Sequence, residues 1–166
     1  MIEQTEKGVV MHATLLWATD GSIEADLALA EARCLLTPDG RIVAFHCDQR
    51  FSGGRFGGAP LLADETDRRA KIRSQVDQLN ADGVNAELLV ETTHHTTSRE
   101  IVRVAAQVGA DAIVCGTRGF GGFRRAIGGS VSAELIHYSH IPVIVVPLAA
   151  EYVEEPVPAL NAGFIG

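Results

Sequence analysis

Residues Asp111–Ser132 read DAIVCGTRGFGGFRRAIGGSVS, and the reading of this stretch decides the fold. The apolar run Ala112–Cys115 predicts a short buried strand, and Gly129-Ser130-Val131-Ser132 predicts the start of a helix after a glycine-rich loop. Strand, glycine loop and helix start together let a backbone approach a phosphate closely. Free N–H groups and the positive end of a helix dipole then face the anion. The stretch therefore predicts the phosphate end of a nucleotide site, the alternative being a bare structural turn.

Two common phosphate loops are excluded. The G-x-G-x-x-G order of a dinucleotide site is missing after the strand, and the segment lies too far along the chain for a first βαβ unit. A Walker loop needs a lysine at the helix start, whereas the only lysines are Lys7 and Lys71. Positive charge near the loop must come from Arg118, Arg124 or Arg125.

The rest of the chain fits a single α/β unit. Its 166 residues allow one well-buried core, and 46% apolar residues argue for a folded domain. A net charge of −7 argues against a nucleic-acid surface, although a local nest of N–H groups can still hold a small anion. The opening residues Met1–His12 include Glu3, Gln4, Glu6 and Lys7 and lack the apolar centre of a signal peptide. No apolar run reaches the length of a membrane span. Three cysteines without a C-x-x-C pair suit a reducing compartment, so a cytoplasmic protein is expected.

Residues 1–12 read as a loose extension, and Ala13–Thr19 as a first strand stopped by Asp20-Gly21-Ser22. A helix capped by Ser22 follows, with Ile23, Leu27, Ala30 and Cys34 as its expected core face and Thr37-Pro38-Asp39-Gly40 as its end. Arg41–Cys47 reads as the second strand. Residues 48–60, DQRFSGGRFGGAP, form either a lid or a plain connector. Leu61–Asp82 is an expected helix with a stripe of Leu62, Thr66, Ile72, Val76 and Leu79, and Val84–Glu91 a third strand. Thr97-Ser98-Arg99-Glu100 matches a capping box before a helix that buries Ile101, Val104, Ala105 and Val108 and closes on Gly109. The helix from Ser130 to His140 is expected to pack Val131, Leu135 and Tyr138, and Ile141–Val146 is the last strand. Strands alternating with helices, most of them continuously apolar, predict a doubly wound parallel sheet with helices on both faces.

Gly116, Gly119 and Gly129-Ser130 fit G-x2-G-x9-G-[ST]. With Asp20-Gly21-Ser22 and Pro142–Val146, this spacing resembles the universal stress proteins, in the subset that binds ATP, over about Ala13–Pro147. The resemblance implies a five-stranded sheet in the order 3-2-1-4-5, a domain spanning 13–147 and a tail at 148–166. It implies an ATP site with Mg²⁺ at the ends of the first and fourth strands, where winding reverses. The implied contacts are Ala18, Thr19, Asp20, Cys115, Gly116, Arg118, Gly119, Gly129, Ser130, Val131 and Ser132, with the main chain at Cys47 reading the adenine edge. Asp20 would meet the ribose or hold Mg²⁺, or else only start the Asp-Gly turn. Ser132 would donate to phosphate or satisfy its own backbone. Pairing of two copies through the last strand is also implied, and an apolar edge strand gives a physical reason for it.

Three functions follow: a regulatory protein that responds to ATP, a slow ATPase using Arg118 and a metal at Asp20, or an interaction module without ligand. The first is favoured because the glycine motif is intact and no carboxylate or histidine lies between Gly116 and Ser132 to orient a water. His94-His95 reads as an exposed loop or a partial metal site. Cys47 and Cys115 are expected to be buried thiols on strands about 10 Å apart, too far for a disulfide.

Overall fold

The computed structural model describes residues 10–49, 59–93, 95–117 and 131–148. The elements are β1 (His12–Ala18), α1 (Ile23–Cys34), β2 (Leu36–Gln49), α2 (Ala59–Ala81), β3 (Asn85–Thr93), α3 (Thr97–Val108), β4 (Ala112–Gly116), α4 (Val131–Tyr138) and β5 (Val143–Val146). All strand pairings are parallel and the order is β3-β2-β1-β4-β5, as expected.

Strand alternation divides the core. Leu15 and Trp17 of β1 join Ile42, Ala44 and Val114 beneath α1 and α2, while Leu16 and Ala18 join Val43, Phe45, Ile113 and Cys115 beneath α3 and α4. Leu15, Leu16 and Trp17 are all fully buried, so β1 is the axis of the molecule. None of the helices among the described residues is long and apolar enough to cross a membrane.

Ser22 caps α1 as expected, its hydroxyl accepting from the Ala25 N–H at 3.3 Å. The buried face of α1 differs from the expectation. Ala25, Ala28, Leu29 and Ala32 face the sheet, whereas Ile23 and Leu27 are 68% and 37% exposed and Cys34 is exposed. Small residues let the helix axis come close to the strands, and the Trp17 indole fixes its rotation by donating to the Ala25 carbonyl at 2.8 Å. Helix α1 stops at Cys34, and β2 begins at Leu36. The pairing with β1 shifts between Leu36 and Arg41, so the Pro-Asp-Gly segment forms an irregularity within β2 and does not terminate α1.

The other helices follow the sequence more closely. Ile72, Val76 and Leu79 of α2 are buried, while Thr66 is exposed. Helix α3 buries Ile101, Val104 and Ala105 and ends on Gly109 at φ +66°, but its N-cap is Thr96 and carries no side-chain capping bond. Thr97 is thus already helical, and Glu100 pairs with Arg103 instead of closing a capping box. In α4 only Leu135 of the expected trio is buried, with Val131 and Tyr138 both 41% exposed.

The rotation of α1 is directly testable. Leu29→Ala should cost about 2–4 kcal/mol in urea unfolding, and Leu27→Ala less than about 1 kcal/mol. The reverse ranking would mean that the expected face is the buried one.

Candidate functional site

The ends of the strands do not lie level. Ala18 pairs with Phe45 on one side and Cys115 on the other, and there β1 stops. The β2–β3 pairing runs on to Gln49↔Thr93, so residues 46–49 of β2 extend past the end of β1. The result is a step in the sheet where the winding reverses, which is where open parallel sheets place ligands. The Thr19 N–H makes the last rung by donating to the Phe45 carbonyl at 3.0 Å. Cys47, two residues on, directs its main-chain groups to the same side of β2, beyond that last rung.

The turn after β1 is tightly built. Gly21 has φ +79°, which favours glycine, and its N–H donates to the Thr19 hydroxyl at 3.1 Å. The Asp20 carboxylate accepts from the Ser22 N–H at 3.0 Å, the Asx turn expected of an Asp-Gly-Ser sequence. Thr19 and Ser22 are buried and Asp20 is half-buried.

Gly116 has a packing reason of its own. A Cβ there would lie 2.7 Å from the Cβ of Glu24 and 2.9 Å from its carbonyl carbon, so the first turn of α1 fills the space beside the end of β4. The sequence assigned that glycine to phosphate approach; the close neighbour in the structure is α1. Ser132, also buried, donates from its hydroxyl to the Thr117 carbonyl at 3.3 Å and ties the start of α4 to the end of β4. Val131 is half-exposed beside it. The structure thus brings Ala18, Thr19, Asp20, Cys115 and Gly116 together at the ends of β1 and β4. Cys47 stands on the overhang, and Val131 and Ser132 begin α4. Arg118, Gly119, Arg124, Arg125, Gly129 and Ser130 lie outside the described residues, as do residues 50–58, His94 and the tail beyond Leu148.

Sequence reasoning missed a polar chain along the overhang. His46, buried, meets the Thr19 carbonyl through Nδ1 at 2.9 Å and Glu65 of α2 through Nε2 at 2.6 Å. Arg69 donates to Glu65 at 3.0 Å and to Asp48 at 2.7 Å. Lys71 donates to the Gly21 carbonyl at 2.7 Å and pairs with Asp26. Burial alone would raise the Glu65 carboxyl, but hydrogen bonds from His46 and Arg69 outweigh it and hold the group below its usual range. The available signal was the spacing Glu65, Arg69 at i, i+4 opposite the polar end of an otherwise apolar strand.

Cys115 is buried, as expected, and Cys47 only half-buried. Burial pushes both thiols up to about 11, with a hydrogen bond to Thr97 acting in the opposite direction at Cys47. Strand β1 lies between them, which keeps them out of disulfide range. His95 is exposed, and no cluster of three or more His, Cys, Asp or Glu side chains suited to a metal occurs among the described residues.

A five-stranded parallel sheet in this order, stepped at its switch point, defines a doubly wound α/β protein. Within that class, the model of the universal stress protein family matches residues 11–147, and the chain belongs to that family. Similar solved structures include a universal stress protein from Archaeoglobus fulgidus in complex with dAMP. It is 24% identical, with a TM-score of 0.55 over 84% of this chain and 99% of that one. A family protein from Arabidopsis thaliana with AMP bound is 15% identical, with a TM-score of 0.57 over 87% and 97%. A universal stress protein in complex with cAMP is 23% identical, with a TM-score of 0.61 over 81% and 97%. At these identities the likeness speaks to the fold. A search of curated protein sequences gives no match.

Two predictions follow from the local chemistry. Because the folded Glu65 carboxyl is held low, its stabilisation is fully present above the ordinary carboxylate pKa and is lost as pH falls through the lowered value. Wild type should therefore exceed Glu65→Gln in thermal stability near neutrality, and the gap should close in acid. At neutral pH a maleimide should label the exposed Cys34 first, with Cys115 reacting only on unfolding. Prompt labelling of Cys115 would contradict its burial.

Proposed function

We propose that this chain binds an adenine nucleotide, ATP with Mg²⁺, at the step in the sheet and acts as a nucleotide-dependent regulatory protein. The observation that carries the reading is the convergence of Thr19-Asp20, the overhanging Cys47 main chain and Cys115-Gly116 on one switch point. The AMP, dAMP and cAMP named for similar structures support an adenine nucleotide as the ligand class.

In this reading the Cys47 main chain reads the edge of the base, and Thr19 and Asp20 face the sugar. Asp20 is also the residue that would hold Mg²⁺, with phosphate oxygens and water completing its shell, since this ion often takes only one or two carboxylates. Bound there, the ion would neutralise phosphate charge. Gly119, Gly129 and Ser130 supply N–H groups to the phosphates, with Arg118 as the cation. Val131 and Ser132 hold the helix start in place, and Ser132 is already committed to Thr117. Residues 13–147 form the binding domain. A second copy pairs along β5, the outer strand, whose four side chains are all half-buried.

Denaturing the purified protein and chromatographing what is released, then titrating stripped protein with Mg·ATP, tests this reading. Wild type should release or bind ATP, and Gly129→Val should abolish binding. Absence of both would move the function to a ligand-free interaction module. Steady conversion of ATP to ADP that Arg118→Ala removes would favour the slow ATPase.

A further inference from the structure

Thr19 and Gly21 flank Asp20, and α2 holds both. It reaches Gly21 directly, through Lys71 at 2.7 Å, and Thr19 through the ring of His46. The second link uses both ring nitrogens. A carbonyl only accepts, so His46 Nδ1 carries a hydrogen toward Thr19. Through Nε2 the ring meets Glu65 Oε1, which also accepts from Arg69 Nε. Arg69 closes the circuit by donating to Asp48, two residues after His46 on the same face of β2.

The link decides what the end of β1 can offer. Continuing the parallel ladder would place the Cys47 N–H on the Thr19 carbonyl. That carbonyl is engaged by His46, and the last backbone rung between the two segments is Thr19 to Phe45. We propose that His46 is a positioning residue for the adenosine end of the site: it holds the Thr19 carbonyl out of the ladder, leaves the Cys47 main chain for the ligand, and couples nucleotide affinity to the docking of α2. The proposal rests on the nucleotide reading above. It predicts that whatever draws α2 away from β2 weakens nucleotide binding, and that bound nucleotide steadies α2.

The test uses the full chain, with Glu65→Leu, Glu65→Gln and His46→Leu beside wild type. Three quantities are read: the ¹⁵N shifts of the His46 ring, amide exchange at Gly21, and the dissociation constant of Mg·ATP. Wild type should show Nδ1 protonated, the nitrogen that faces the Thr19 carbonyl. Glu65→Leu should free the ring to populate the other tautomer, speed exchange at Gly21 and weaken ATP binding about tenfold. Glu65→Gln can still hydrogen-bond Nε2, so it should keep Nδ1 protonated and return exchange and affinity to near wild type, which a purely volumetric role for residue 65 would not do. His46→Leu should lose at least as much affinity. If it does not fold, the Glu65 pair still decides the matter, because that side chain lies near the surface of α2.

An unprotonated Nδ1 in wild type, or Glu65→Leu protein with unchanged ATP affinity, would overturn the proposal. So would unchanged exchange at Gly21. If wild type binds no ATP while ring and exchange behave as expected, the nucleotide reading fails and the coupling of α2 to the turn stands.

Discussion

Strand β1 ends at Ala18 while its neighbour β2 continues to Gln49, and this mismatch in length governs the architecture around it. A buried strand that stops early leaves the next strand with backbone groups that have lost their ladder partners, and such groups must find others. On the β3 side the ladder supplies them as far as Thr93. On the β1 side the overhang meets the tight turn Thr19–Ser22, and the polar side chains of α2 arrive from above. The step is rigid because β1 beneath it is packed on both faces by Leu15, Leu16 and Trp17, none of which has room to move without opening a core.

Helix α2 is divided by this arrangement. Its second half, through Ile72, Val76 and Leu79, seals the core beneath it. Before that, Glu65, Arg69 and Lys71 make directional contacts with β2 and the turn. A helix that reads as strongly polar by composition therefore has two tasks in sequence, and its low apolar content reflects the polar one. The opposite layer is arranged differently: Ser98, fully buried in α3, donates to Glu134 of α4, so those two helices are fastened to each other above the sheet.

Much of the fold was legible because it rests on local signals. The Ser22 cap, the Gly109 stop and the apolar strand runs each report on a few neighbouring residues, and together they set the alternation of elements. The order of the strands came from the resemblance alone. Errors arose where size was mistaken for burial or a local signal met a tertiary demand. Ile23 and Leu27 are larger than the alanines of α1, yet close approach to the sheet favoured the alanines. Pro38-Asp39-Gly40 reads as a terminator, yet the strand absorbs it as an irregularity. The capping box missed by one residue because Thr96, Thr97 and Ser98 are all acceptable caps in isolation. At the site, the turn residues were legible, while His46 was not. A single histidine in a strand carries no local mark of its role, and its partner Glu65 is 19 positions away on another element.

The chain contains a single tryptophan, and its placement has a practical side. Trp17 is fully buried, its indole N–H is committed to the first turn of α1, and it stands two residues before Thr19. Excited beyond tyrosine absorption, the protein's emission therefore originates at one spot, the joint between the central strand and the helix that begins beside the step in the sheet. A change in its wavelength or quenching reports a disturbance of that joint, with no other indole to dilute the signal and no label to attach.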